Sequence, residues 1–173
     1  MNRMQEIRIE KLTLNIGVGD SGDKLDKAMS LLKEISGEKP IKTKTTKRIP
    51  TWNIRPKLAI GAKVTLRGGK AEKMLTRLLK SVNNMIQKRK FDDYGNFSFG
   101  VKEYINIPEV EYIPEIGIIG LEAAVTLERR GFRVKRRILR KNRVGKKHLI
   151  TKEQSMDFIR NKFNAEITEK EEE

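Results

Sequence analysis

Ile7 and Ile9 alternate with polar residues, and the alternation resumes in the opposite phase at Leu12, Leu14 and Ile16. A single strand with a bulge near Glu10 and Lys11 accommodates both phases and turns Thr13 and Asn15 away from the core. Leu25, Ala28, Met29, Leu32 and Ile35 then repeat at helical spacing, with acidic capping candidates at 20–23 and a stop signal at Gly37. Residues 41–47 read as a strand and 48–58, with Pro50 and Pro56, as a long, flexible connecting loop. The clearest strand is 59–67: Ile60, Ala62, Val64 and Leu66 share one side, while Gly61, Lys63, Thr65 and Arg67 share the other.

Gly68-Gly69 leads into a helix whose stripe runs through Ala71, Met74, Leu75, Leu78, Leu79, Val82, Met85 and Ile86, with Lys73, Arg77 and Lys80 on its outer face. Phe97, Phe99 and Val101 alternate with Ser98 and Gly100 as a further strand, followed by an irregular stretch over 103–120. Residues 121–128 and 132–139 predict a hairpin around Arg130-Gly131, with Arg133, Lys135 and Arg137 on one face. Thr151 and Gln154 fit a capping box that opens a last helix, buried through Met156, Ile159 and Phe163. Strands and helices mixed without regular βαβα alternation predict an α+β fold. The expectation is one domain over 1–168, with a largely antiparallel sheet, helices packed on one face, and the other face exposed, polar and basic. An acidic tail at 169–173 is expected to be disordered.

Charge turns that exposed face into a functional hypothesis. The 173 residues include 38 Lys+Arg against 23 Asp+Glu, a formal net charge of +15. The signs are segregated: 39–90 hold 16 bases and one acid, Glu72, and 129–152 hold 12 bases and no acid, on either side of an acidic stretch. Single-sign blocks attract a polyanion and release its counterions, so nucleic acid is the natural partner; a solvated basic face is the plainer alternative. Without cysteine, a disulfide framework, a thiolate zinc site and a thiol nucleophile are excluded, and a reducing, cytoplasmic setting is expected. No apolar run approaches the ~20 residues that span a bilayer and no apolar leader is present, so neither membrane insertion nor secretion is expected.

Candidate chemistry is sparse. Gly17-Val18-Gly19-Asp20-Ser21-Gly22 is a formal GxGxxG between a strand and a helix, and it keeps an NADP-dependent enzyme open as an alternative. Asp20 and Asp23 oppose it, because they place carboxylates where a pyrophosphate would sit. His148 has no Ser or Asp placed to complete a triad, and Glu103, Glu109, Glu111 and Glu115 lack the spacing of a metal loop. The expectation is no enzyme, no cofactor and no metal. The stretch from Ile41 to Arg67 is richer: cations for phosphates, Thr and Asn for 2′-hydroxyls or base edges, and Trp52 either to stack on an unpaired base or to fill a core. RNA-contact candidates are Asn15, Thr43, Lys44, Thr45, Lys47, Trp52, Lys63, Thr65 and Arg67. A non-specific nucleic-acid chaperone is a third reading.

Several runs carry a resemblance: Leu14-Asn15-Ile16-Gly17-Val18-Gly19, Gly37-Glu38-Lys39-Pro40, Thr43-Lys44, Ile60-Gly61-Ala62-Lys63-Val64-Thr65-Leu66-Arg67-Gly68 and Gly95-Asn96-Phe97-Ser98-Phe99-Gly100. Across almost the whole chain the sequence resembles the universal large-subunit ribosomal protein L five family, and Gly117-Ile118-Ile119-Gly120 and Arg129-Arg130-Gly131 look like its archaeal and eukaryotic branch. The resemblance implies a structural constituent of the large ribosomal subunit that binds 5S ribosomal RNA and anchors it to large-subunit ribosomal RNA in the central protuberance. It places Asn15, Thr43 and Thr65 on the RNA, with Trp52 as the loop aromatic. It also implies that Arg48, Trp52, Asn53, Arg55 and Lys57 lie on a loop reaching toward peptidyl-site transfer RNA, near other proteins of the central protuberance and of the small-subunit head. Glu38 stands where bacterial relatives often carry glutamine, and a carboxylate there would repel phosphate.

Overall fold

The computed structural model describes residues 2–169. Four α-helices accompany a five-stranded sheet of order β2 (Ile41–Lys44), β3 (Ala59–Leu66), β1 (Ile7–Gly17), β6 (Leu121–Arg129), β5 (Phe97–Val101), every neighbouring pair antiparallel. This is the expected α+β architecture. β1 (Ile7–Gly17) is the central strand, and its register slips between Ile9 and Lys11 where the two phases of alternation meet. The bulge keeps both Ile9 and Leu12 buried, so one apolar face continues across the phase change.

α1 (Asp23–Ser36) packs on β3 (Ala59–Leu66), and α2 (Gly68–Ser81) packs on β1. Their buried residues, Leu25, Leu31 and Leu32 from α1 and Met74, Leu75 and Leu78 from α2, close over Leu12, Leu14, Val64 and Val125. Each such side chain contributes roughly 1.5–3 kcal/mol on leaving water. α1 ends on Gly37, at φ +66°, where a side chain would be strained. Its N-cap is Gly22, without a side-chain hydrogen bond, so Asp23 and Asp26 support the first turn by charge and not by capping.

The glycine motif is not a dinucleotide site. Every neighbour of β1 is antiparallel, and β2 (Ile41–Lys44), which follows α1, pairs with β3 and not with β1. Three further expectations are corrected. The strand predicted over 41–47 stops at Lys44, because the register slips after Thr43 and the Thr45 hydroxyl then bonds the Lys47 carbonyl at 2.8 Å to start a turn. The stripe of α2 does not stay helical to Ile86: Asn83 and Asn84 adopt φ of +55° and +57°, and Met85–Gln87 forms β4, parallel to β7 (Glu166–Thr168). Ile86 is still buried in the new strand, which is why the apolar spacing runs on, while Met85 is half-buried. The predicted hairpin forms on one side alone. β6 (Leu121–Arg129) lies between β1 and β5 (Phe97–Val101), so no edge is open for a returning strand, and the chain makes the short helix α3 (Arg133–Arg136) instead.

α4 (Lys152–Phe163) starts with the expected capping box, Thr151 accepting from the Gln154 N–H and Gln154 from the Thr151 N–H. Ile159 is fully buried and Met156 and Phe163 are half-buried. Ser155 is also fully buried, donating to the Gly95 carbonyl at 2.7 Å. Glu169, expected in the tail, pairs with Lys88 at 2.9 Å; that hydrogen bond lowers the Glu169 carboxyl and raises the Lys88 ammonium from their ordinary values. The rest of the expected tail lies outside the described residues.

Candidate nucleic-acid interface

Antiparallel pairing assembles the sheet's outer face in rows, because residues directly opposite each other project to the same side. One row runs Ile41, Lys63, Asn15, Glu122, Gly100; the next runs Thr65, Thr13, Ala124, Ser98. Above them, Thr43 lies opposite Gly61, which lies opposite Gly17. A Cβ at Gly61 would come within 2.8 Å of the Thr43 Oγ1 and 2.9 Å of the Ile16 carbonyl oxygen, so the close approach of these strands requires glycine. The result is a flat surface of hydroxyls, an amide, small residues and a lysine. Such a surface suits the wide, shallow minor groove of an RNA helix, where 2′-hydroxyls and base edges are displayed.

The sequence candidates divide into three groups. Asn15, Lys63 and Thr65 stand together on two adjacent rows, with Thr43 one row beyond. Lys44 is exposed at the end of β2, and Arg67, just before α2, is drawn toward Glu10 by a 3.5 Å ion pair. Thr45 and Lys47 leave the sheet for the turn described above, where the Thr45 hydroxyl also accepts from the Lys47 N–H at 3.2 Å. They belong with the 45–58 connection and not with the strand face.

That connection is not an unstructured loop. The Thr45 N–H bonds the Leu58 carbonyl, the Lys57 N–H bonds the Thr45 carbonyl, and Ile49 bridges Ile54 around a short 3₁₀ turn, Pro50–Trp52. It is a small ordered finger extending the β2–β3 hairpin. Ile54 is its buried anchor, whereas Trp52 is 69% exposed and Arg48, Asn53, Arg55 and Lys57 are all exposed around it. The core alternative for Trp52 is thereby removed.

Residues 2–55 match the family described as Ribosomal protein L5, and 59–158 match the C-terminal region of the same ribosomal family. The large ribosomal subunit protein uL5 of Nanoarchaeum equitans is 53% identical over 165 residues, covering 95% of this chain and 97% of the relative. The chain belongs to the ribosomal protein L5 family. The uL5 proteins of Sulfurisphaera tokodaii and Methanobrevibacter smithii are 46% and 41% identical, covering 98% and 95% of this chain and 96% and 97% of their own lengths. These three relatives are archaeal, in line with the resemblance, and the family is one of non-enzymatic ribosomal proteins.

The outer face of this L5-family chain draws on both matched segments, Asn15 and Thr43 from the first and Lys63 and Thr65 from the second. The RNA-contact candidates leave out the far half of this face, although strand phase already turns Thr13 and Ser98 away from the core. Thr13 and Ser98 add hydroxyls to the Thr65 row on either side of Ala124, and Glu122 places an exposed carboxylate directly opposite Asn15. The alternation within β5 and β6 was legible, but only the register shows which residues stand beside Asn15. The Glu122 carboxylate makes the β6 side of the face less favourable to an anion than the Lys63 side. On the helix side, Lys42 lies 2.6 Å from Asp26 and Lys70 pairs with Glu38, so each lysine has an exposed carboxylate beside it. Among the described residues no helix is long and apolar enough to cross a membrane, and no cluster of three His, Cys, Asp or Glu could hold a metal.

Proposed function

We propose that this chain is a structural constituent of the large ribosomal subunit that binds 5S ribosomal RNA through the outer face of its sheet. The observation that carries the reading is the uncovered row pair Lys63-Asn15 and Thr65-Thr13, flat, polar and centred on the middle strand. The amide and hydroxyls select the sugar edge of RNA, while Lys63 and Lys44 supply phosphate affinity. We assign residues 1–168 to one RNA-binding unit, because strands of both matched segments alternate in one sheet.

In the same reading, the protein anchors 5S RNA to large-subunit ribosomal RNA in the central protuberance, beside other ribosomal proteins there and of the small-subunit head. The finger carrying Arg48, Trp52, Asn53, Arg55 and Lys57 faces peptidyl-site transfer RNA, with Trp52 as its exposed stacking surface.

Binding of the purified chain to 5S RNA, transfer RNA and a generic RNA duplex, each across a salt series, is the test. Selection of 5S RNA that survives raised salt is expected; equal affinity for all three would reduce the protein to a non-specific binder. Thr65→Ala should weaken the 5S complex by roughly 1 kcal/mol without changing the salt slope, whereas Lys63→Ala should lower the slope by about one.

A further inference from the structure

We infer that a second site, one row below Thr13 and Ala124 on the same outer face, where Lys11 stands opposite Thr126, binds an unstacked single-stranded stretch of RNA in the cleft between the lower end of the sheet and the basic arm over 130–147. The inference rests on RNA being the partner and on nothing about how the sheet face binds it. The cleft has a volume of about 1240 Å³, room for a few nucleotides but not for a duplex. Phe132, Val144 and Leu149 give it an apolar lining, and Lys11, Lys135, Lys141 and Arg143 stand around it. Among the described residues none of these four cations is drawn into an ion pair. Tyr94, 67% exposed, also lines the cleft, with Asn96.

An apolar lining edged by cations fits a ligand that is aromatic on one side and anionic on the other, which describes an unpaired nucleotide: bases stack on aromatic rings while phosphates meet the rim. The carboxylates nearby do not spoil the field. Glu128, on the outer face of β6 but buried, is gripped by Arg8 at 2.6 Å and by Arg136, and Glu10 is paired with Arg136 at 3.2 Å and Arg67 at 3.5 Å. Asp92 is spent on its own turn, accepting from the N–H groups of Tyr94 and Asn96. Asp93 is exposed beside Tyr94, which puts the bases at the Tyr94 wall and the phosphates against the arm.

The arm is built to stay in place. Besides the Arg136 grip on Glu128, the Asn142 N–H bonds the Val134 carbonyl at 3.2 Å, and His148 Nε2 lies 2.7 Å from the Arg130 carbonyl oxygen at its base. At its tip Ile138 and Leu139 are 96% and 81% exposed between Arg137 and Arg140. Aliphatic side chains held in water amid cations are suited to lie against base faces next to a phosphate backbone.

Fluorescence anisotropy of the full chain with a short labelled oligouridylate, across a salt series, decides the matter. Tyr94→Ala should weaken binding about fivefold or more, with Tyr94→Phe restoring it, and Lys141→Ala with Arg143→Ala should flatten the log–log salt slope by about 1.4. Oligouridylate binding indifferent to both changes would overturn the site. Equal displacement by a polyglutamate peptide would also overturn it, by showing a site for acidic chains in general. Thr65→Ala should leave oligouridylate binding intact. If Thr65→Ala also fails to disturb 5S RNA while Tyr94→Ala weakens the oligouridylate, the sheet-face reading falls and the cleft stands.

Discussion

Gly61 shows how narrow the tolerance of the outer face is. The nearest obstacle to a Cβ there is the Thr43 hydroxyl, which can rotate, but the Ile16 carbonyl oxygen at 2.9 Å is backbone inside a central strand and cannot. Gly61→Val should therefore destabilise the fold by about 1–3 kcal/mol in urea unfolding. Gly100, on the same face with nothing within 4 Å of its missing Cβ, is the control: Gly100→Ala should shift stability by no more than about 0.5 kcal/mol. Glu128 makes the opposite kind of commitment. Its carboxylate is buried and accepts from the Arg8 Nε at 3.0 Å, from the Arg8 Nη2 and from Arg136, so Glu128→Gln should cost roughly 1.5–3 kcal/mol. The same change should raise hydrogen exchange across 130–147, because the arm loses its main charged anchor.

Among the elements, α4 is tied to the rest by the buried contact of Ser155 with Gly95 and by Arg129, which donates to Gln154 at 2.7 Å. Ser155→Ala would strand the Gly95 carbonyl in the core, at a cost of about 1–3 kcal/mol measurable by urea unfolding, whereas Thr151→Ala should cost about 1 kcal/mol through the lost cap. The capping box was legible because it is local: both partners sit three residues apart. Ser155 was not, since its partner is 60 residues away and nothing in the sequence marks a serine for burial. The same contrast runs through the strands. Alternation in β1, β3 and β5, and even the bulge at Glu10 and Lys11, could be read from the order of apolar residues. The strand expected after Gly131 could not be refuted locally, because its failure depends on β6 having both edges occupied. Likewise the apolar spacing of α2 continues across Asn83 and Asn84 although the helix does not, since burial constrains the side chains and leaves the backbone free to change. On the outer face, strand phase already places Asn15, Lys63 and Thr65 together, whereas the opposition of Glu122 to Asn15 required the register.

For the molecule as a whole, the linear blocks of charge do not map onto single surfaces. The block at 39–90 is divided between the outer face, the finger and the helix layer, where Arg77 is bound to the Pro108 carbonyl and to Glu109. Lys73 and Lys80 are exposed on α2, the element that covers the opposite face of the sheet, so they should not share a ligand with Lys63. Lys73→Ala combined with Lys80→Ala should leave both the 5S selection and its salt slope unchanged, and a slope reduced by one or more would place RNA on the helix layer.

The strand order bears on how the chain is made. β1 ends at Gly17, yet β6, one of its two neighbours, begins only at Leu121. At ~5–20 residues per second, β1 waits roughly 5–20 s for that partner, with one edge of its hydrogen-bonding ladder open. Closing so long a loop is slow, and during the delay the unpaired strand is a template for other nascent chains. Assembly of the central sheet is therefore gated by elongation through β6, and slowing translation between β5 and β6 should raise aggregation of the nascent protein.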